Sequence, residues 1–301
     1  GWELSLGWND SFALMGKRFN YTVSATLGDN LTEITKYNNS EKKLTDYYEG
    51  MKLGEIWGYR VDGLFASDEE AAEYTSKINQ DFVNARILSD KVEPYYRAGD
   101  LKFRDLDGDN IISKGDDTAY DAGDREIIGN ETPRYMYSFR LGADWNGIDL
   151  GIFFQGVGKR DWYPNYLSTG FWGPYSRAFT SFIPENFMDQ CWSEENPGGY
   201  FPRFRGYQTF KDSQLGVNND RYLQDASYIR LKNLTVGYTL PVLKKVFTKL
   251  RVYFTGENLW YWSPMKKYTK YIDPEAAGGN GNTGMAYNYS RNFSVGVDIT
   301  F

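Results

Sequence analysis

Histidine is absent from this chain, and cysteine occurs once, at Cys191. These two absences exclude a disulfide within the chain, Cys/His zinc clusters and histidine-based catalytic triads. Long apolar runs are missing too, since no stretch approaches the roughly 18 residues of a membrane helix. No basic-then-apolar signal segment is present, and the chain opens at Gly1-Trp2 already inside a strand pattern, the start expected of a fragment. The 34 basic and 40 acidic residues leave a net charge of −6, which gives nucleic acid no electrostatic footing.

What the chain has in excess is aromatic. Phe, Trp and Tyr make up 18% of its 301 residues, with 25 Tyr and 9 Trp, more than a core of ordinary composition needs. Such an excess suits the girdles of a membrane barrel, sugar-stacking surfaces, or both. Alternation follows the same lead. In the last segment Tyr289, Arg291, Phe293, Val295, Val297, Ile299 and Phe301 interleave with Asn288, Ser290, Asn292, Ser294, Gly296, Asp298 and Thr300. A period of two puts one set on each face of a strand. The pattern recurs at Trp2–Asn9, at Phe19–Gly28 and at Tyr135–Trp145. Asn146-Gly147 then predicts a tight hairpin into Leu150, Ile152 and Phe154. Two further strands are predicted over 226–240 and 249–262. This makes about seven strands of about ten residues, long enough to cross a bilayer when tilted.

The connections alternate in length. Turns near 10–17, 146–147 and 241–248 are short, whereas 29–133, 159–225 and 263–288 are long. Short turns at one end and long loops at the other are the outer-membrane barrel pattern. If the C-terminus is periplasmic, all three long loops fall outside the cell. A soluble β-sandwich with elaborate loops shares the alternation. Arg140, Asp144, Asp149, Gln155, Arg251, Glu257 and Asp298 on the polar face favour a wet lumen over a sandwich surface.

Several blocks carry a family likeness. They include Gly54-Glu-Ile-Trp-Gly-Tyr-Arg-Val-Asp-Gly-Leu-Phe65, Gly99-Asp-Leu-Lys-Phe-Arg-Asp-Leu-Asp-Gly-Asp109 and Asp124-Arg-Glu-Ile-Ile-Gly-Asn130, which leads into Thr132-Pro-Arg-Tyr-Met-Tyr-Ser-Phe139. Phe153-Phe-Gln-Gly-Val-Gly158, Trp192-Ser-Glu-Glu-Asn-Pro197, the run from Ser227 to Pro241 and Thr255-Gly-Glu-Asn-Leu259 follow in order. Together they resemble the C-terminal part of SusC-like (RagA-like) TonB-dependent outer-membrane transporters of Bacteroidetes.

The resemblance implies an all-β fold, with residues 1–301 forming the C-terminal segment of a barrel of roughly twenty-two strands around a plug. It implies that the plug, the TonB box and the N-terminal strands lie elsewhere, in a separate chain or a precursor. It also implies a SusD-like surface lipoprotein as partner, the TonB complex acting through the plug, and outer-membrane lipid around the barrel. The terminal Phe301 resembles the signal read by barrel-assembly machinery. The expected function is active import of oligosaccharides or oligopeptides across the outer membrane of a Gram-negative bacterium, with no enzyme activity. A passive porin, or a soluble carbohydrate-binding or hydrolytic β-module, are the other classes; no carboxylate pair stands out for glycoside hydrolysis.

The first long loop holds the sharpest local chemistry. Asp105, Asp107, Asp109 and Asp116 stand at positions 1, 3, 5 and 12 of an EF-hand-like loop, with the Ile111 carbonyl at position 7 and Ser113 at position 9. Carboxylates so spaced converge on one hard cation, so calcium is the expected ligand. Asn110 replaces the usual Gly at position 6, and Asp116 replaces Glu, as in the dockerin version of the loop. The alternative is a surface loop rich in Asx turns.

Elsewhere, Ser67-Asp-Glu-Glu70 predicts a capped polar helix running toward Lys77, and Pro184–Cys191 predicts a second short helix. Trp162, Tyr163, Tyr166, Phe171, Trp172 and Tyr175 either stack on substrate or partner or form a loop minicore. Arg230 and Lys232 are expected on the face of Leu234, Val236 and Tyr238, where they would meet lipid phosphates or snorkel to the interface.

Overall fold

The computed structural model describes residues 1–81, 96–181, 183–206, 208–210, 213–241, 248–277 and 287–301. β1 (Trp2–Leu14) and β2 (Lys17–Asp29) are joined by Met15-Gly16. Both turn residues take the left-handed backbone, φ 49° and 72°, as a type I′ hairpin requires. The first long connection holds β3 (Glu55–Tyr59), β4 (Val61–Leu64), helix α1 (Asp68–Thr75), β5 (Leu101–Phe103) and β6 (Arg125–Asn130). β7 (Arg134–Trp145) and β8 (Ile148–Lys159) turn at Asn146-Gly147, φ 50° and 86°. The second connection holds β9 (Asp161–Trp162), helical turns α2 (Thr169–Trp172) and α3 (Pro174–Arg177), β10 (Cys191–Trp192), β11 (Phe201–Arg203) and β12 (Gln224–Asp225). β13 (Tyr228–Leu240), β14 (Lys249–Trp262) and β15 (Asn292–Thr300) complete the chain.

The seven long strands form one antiparallel sheet in the order β1-β2-β7-β8-β13-β14-β15. Two expectations shift at the residue level, and a third falls largely outside the described residues. The first hairpin is tighter than a 10–17 turn, because the alternation continues through Phe12 and pairs it with Phe19. The last short turn has residues 242–247 outside the described residues. Near Pro184 the only helical turn is the 3₁₀ segment Met188–Gln190, since Cys191 is drawn into an extended pairing with Phe201. Helix α1 forms as expected: Ser67 Oγ accepts from the Glu70 N–H at 3.1 Å, and Lys77 reaches Glu73 at 2.7 Å.

Register separates the two faces of the sheet. On one, Leu6 pairs with Ala25, Val23 with Leu141, Ile152 with Leu234, Val236 with Phe254 and Phe254 with Val295. Aromatic rings mark both ends of this apolar face. Trp8, Phe12, Phe19, Tyr21 and Trp145 lie toward the short turns, and Trp2, Trp260 and Trp262 lie toward the long loops. On the other face Ser24 pairs with Arg140, Asp144 with Asp149, Thr235 with Thr255 and Arg251 with Asp298.

One correction concerns β13. A bulge between Leu231 and Asn233 inserts an extra residue, so the alternation slips by one at Lys232. Arg230 pairs with Gln155 and therefore belongs to the polar face. It does not share a face with Leu234, Val236 and Tyr238. Arg230 is 1% exposed and forms an ion pair with Asp273, so neither lipid phosphate nor snorkelling accounts for it.

The hydrophobic core sits outside the sheet. Ile56, Tyr59, Leu101, Phe103 and Ile112 of the first connection pack with Trp162, Trp172, Tyr175, Phe201 and Tyr222 of the second and with Met265, Ile272 and Ala277 of the third. The three long connections are thus one packed cap over one end of a two-faced sheet. The faces make opposite predictions. On the expectation that the apolar face meets lipid, Val236→Arg in an interior strand should destabilise the fold by about 2–4 kcal/mol, whereas Ser294→Arg should cost under about 1 kcal/mol. Urea titration in bilayers, read by tryptophan fluorescence, compares them.

Candidate functional site: the polar face and the loop cap

Part of the charge on the polar face is paired within it. Arg251 on β14 reaches across β13 to Asp149 on β8 with paired bonds of 2.9 and 2.6 Å, and holds Asp298 on β15 at 3.0 Å. Gly237 makes this reach possible: a Cβ there would collide with Asp149 Oδ2 and the Arg251 guanidinium. Thr26 and Ser138 share a hydroxyl bond of 2.7 Å, as do Thr235 and Thr255 at 2.6 Å. Arg140 lies over the Phe153 ring at 5.3 Å.

Where this face meets the cap, a hollow of about 850 Å³ opens. Thr26, Ser138 and Gln155 form its polar wall, and Tyr228, Arg160 and Glu275 its upper edge. The cap is pinned to the sheet around it. Arg230 pairs with Asp273, holds Glu275 at 3.0 Å from Nε, and faces the Tyr261 ring at 4.7 Å. Lys232 bonds Glu275 at 2.8 Å; within the sheet, Arg134 of β7 bonds Asp29 at the end of β2. A buried pair such as Arg230–Asp273 costs about 3–5 kcal/mol to break from one side, because the remaining charge is stranded.

Loops are tied to each other by similar contacts. Asp220 receives Arg60 at 3.2 Å and the Val61 N–H at 3.0 Å. Arg205 pairs with the buried Asp100 at 2.7 Å, while Gln214 accepts from the Leu101 N–H at 2.8 Å. Tyr200 of the second connection stacks on Tyr268 of the third, 3.5 Å apart and 5° from parallel.

The aromatic cluster lies inside this cap. Trp162, Tyr163, Trp172 and Tyr175 are buried among neighbouring rings, and only Tyr166 is exposed, at 44%. Their polar atoms are satisfied internally. Trp172 Nε1 donates to the Pro164 carbonyl at 3.1 Å, and Tyr163 and Tyr175 donate to Val217 and Pro202 at 2.8 and 2.6 Å. With Phe171, also buried, five of the six aromatic residues thus form the minicore and offer no open face to a ligand. Cys191 is buried with them, and burial pushes its thiol above its usual range.

The Asp-rich loop brings together part of the expected set. Carboxylate oxygens of Asp105, Asp107 and Asp109 lie within 4.8 Å of one another. Asn110 takes φ 67° and Gly108 φ 81°, so the chain turns where an EF-hand loop turns. Asp105 accepts from the Gly108 and Asn110 N–H groups, and Asp109 accepts from Ile111 N–H at 2.7 Å. Ser113 Oγ accepts from Gly115 N–H at 3.1 Å, and Asp116 is exposed and outside the carboxylate group. Asp124, which the sequence reading did not single out as a ligand or clamp, is the residue that closes the loop. Fully buried, it accepts from Leu106 and Ser113 N–H groups, both at 2.7 Å. Burial, reinforced by the charges of Asp107 and Asp105, raises its pKa against those two bonds.

Comparison with known proteins places this geometry. No family model matches the chain. Receptors of Formosa agariphila do, among them TonB-dependent receptor P26, 30% identical over 67% of the chain, and TonB-dependent receptor P39, 26% identical over all of it. The solved RagAB peptide transporter matches 99% of the chain with a TM-score of 0.62 at 20% identity, and the RagAB peptide importer in its open-open state scores 0.59 at 22%. The chain belongs to the TonB-dependent receptors. It spans 20% of the length of P26 and 30% of P39, and 28–29% of the RagAB chains. Its sheet is therefore an arc of a receptor barrel, with the apolar face outward and the polar face toward the lumen.

The receptor's cap contains carboxylates whose burial sets a pH response. Asp100 and Asp161 are both raised above 3.8, chiefly by burial, which in Asp100 outweighs the pull of Arg205. A raised folded-state pKa means that the folded cap takes up protons first, so its stability rises as pH falls toward 3.8. Below that, carboxylates held low by partners, such as Glu70 bonded to Lys102 and to Ala66 N–H, lose their contribution. Hydrogen-exchange protection at the Leu101 and Asn130 amides should therefore increase as the pH is lowered from neutrality toward about 4 and fall again below it.

Proposed function

We propose that this chain supplies part of the lumen wall and the outer vestibule of a plugged outer-membrane importer of oligosaccharides or oligopeptides, driven through TonB. The observation that carries the reading is the joining of a two-faced sheet to a single packed cap at one end. A polar wall suits passage of hydrated cargo, and a cap made rigid by its own core suits docking and gating at the mouth. On this reading the long loops face the cell exterior, the C-terminus faces the periplasm, and a SusD-like lipoprotein covers the cap. The rest of the barrel and the plug come from residues beyond this segment, because β1 and β15 are both edges of an open sheet and unpaired edges are not sustained in lipid. The whole transporter extracted in detergent should bring a plug and a surface lipoprotein with it, and its uptake should stop when TonB is removed. Recovery of a free, closed, plugless pore would replace this reading with a passive porin.

The Asp-rich loop is proposed to hold Ca²⁺ as a stiffener of the cap. Asp105, Asp107 and Asp109 offer three hard oxygen ligands close enough to share one ion, and Ile111 and Ser113 lie at the next donor positions. The ion would relieve the mutual repulsion of the carboxylates. Calorimetric titration at millimolar calcium should show binding that Asp107→Ala weakens at least about tenfold; absence of calcium-dependent heat in the parent protein refutes the assignment.

A further inference from the structure

We propose that the hollow between the lumen wall and the cap binds a carboxylate-bearing oligomer, with Arg160 as the group that holds the carboxylate. The inference rests on the import reading and names the charge class of the cargo.

Arg160 follows β8 directly and is gripped from two sides. Its Nε donates to the Glu131 carbonyl at 3.2 Å, and its Nη1 donates to the Pro274 carbonyl at 3.3 Å. These contacts fix the plane of the guanidinium but use only two of its five N–H donors. No carboxylate lies within ion-pair distance of Arg160 among the described residues. Burial lowers its pKa, outweighing the opposing influences of Tyr228 and Glu131. A guanidinium fixed in place with free donors is suited to paired bonds with a planar carboxylate.

Two of the other three charges lining the hollow are already matched. Asp29 is held by Arg134 at 2.5 Å, and Glu275 by Lys232 at 2.8 Å and by Arg230 at 3.0 Å. Glu3 is the remaining lining carboxylate, on β1. Three strand spacings separate β1 from β8 in the sheet, about 14 Å. Glu3 is thus too distant to cancel Arg160, and the Arg160 end of the hollow stays cationic. The volume of about 850 Å³ suits a ligand of a few sugar or amino-acid units. Gln155 and Ser138 supply neutral hydrogen-bonding groups along its wall.

A carboxylate could belong to a peptide or to an acidic sugar, and paired probes separate the two. Binding to the whole detergent-purified transporter would be measured for oligoglutamate against oligoglutamine, and for oligogalacturonate against its methyl ester. In one pair the acidic member should bind roughly tenfold or more tightly than its neutral counterpart. Arg160→Gln should abolish that preference. Because this change also removes two loop bonds, Gln155→Glu serves as the second variant: nearly isosteric and clear of those bonds, it should weaken the acidic probe roughly tenfold by repulsion. Equal binding within both pairs, binding of none of the four probes, or a preference that survives both variants overturns the inference. TonB-dependent uptake and co-purification of the plug test the import reading independently of cargo charge.

Discussion

A backbone N–H or C=O in hydrocarbon has no water to turn to, and each one left unpaired costs several kcal/mol. The whole arrangement follows from that constraint. Paired ladders across seven strands satisfy the interior of the sheet, and the pleat then sends successive side chains to opposite faces. One face must match lipid and the other water, so Val236 and Thr235 are neighbours in sequence and opposites in chemistry. The two-residue hairpins belong to the same logic. Met15-Gly16 and Asn146-Gly147 reverse the chain at once, leaving almost no unpaired backbone at that end.

A single sheet facing lipid and water has no interior, so the long connections cannot be stabilised by packing beneath it. They build a core of their own. Rings from the second connection stack in sequence, Phe187 on Phe201 and Phe201 on Tyr222, and residues of the first and third connections fill the flanks. This explains the high aromatic content more fully than girdles alone. The cap then needs fastening, and its fasteners are charged because the sheet end it meets is polar. Arg230 with Asp273, and Lys232 with Glu275, join strand to loop at the point where the pattern of the sheet ends.

Local signals in the sequence were read correctly where they are local in cause. Alternation located the strands, Asn146-Gly147 located its hairpin, and Ser67 with Glu70 located the helix start. The bulge at Lys232 left no comparable mark. One inserted residue changes no composition and reverses the face of everything before it, which is why Arg230 read as lipid-facing and proved to be buried against Asp273. Contacts between loops were equally silent: Arg60 and Asp220 meet across 160 positions, and nothing near either residue names the other. Asp124 lies beyond the expected end of the calcium-like motif, yet it clamps both sides of that loop. The aromatic cluster was visible as a cluster, but whether its rings faced inward or outward depended on partners as remote as Met265.

Charge on the lumen face gains meaning from how thoroughly it is matched. Arg251 does not stand as a free cation, because the missing side chain at Gly237 lets it span a strand to Asp149 while Asp298 takes its other edge. Such matching turns three charges of the wall into one local network, so a hydrated solute meets no isolated cation there. An unmatched group on the same wall then acts on cargo rather than on the protein. Arg160 is in that position at the mouth, held by carbonyls that orient it without neutralising it. Selectivity of this kind depends less on the number of charges lining a barrel than on which of them the fold has left uncompensated.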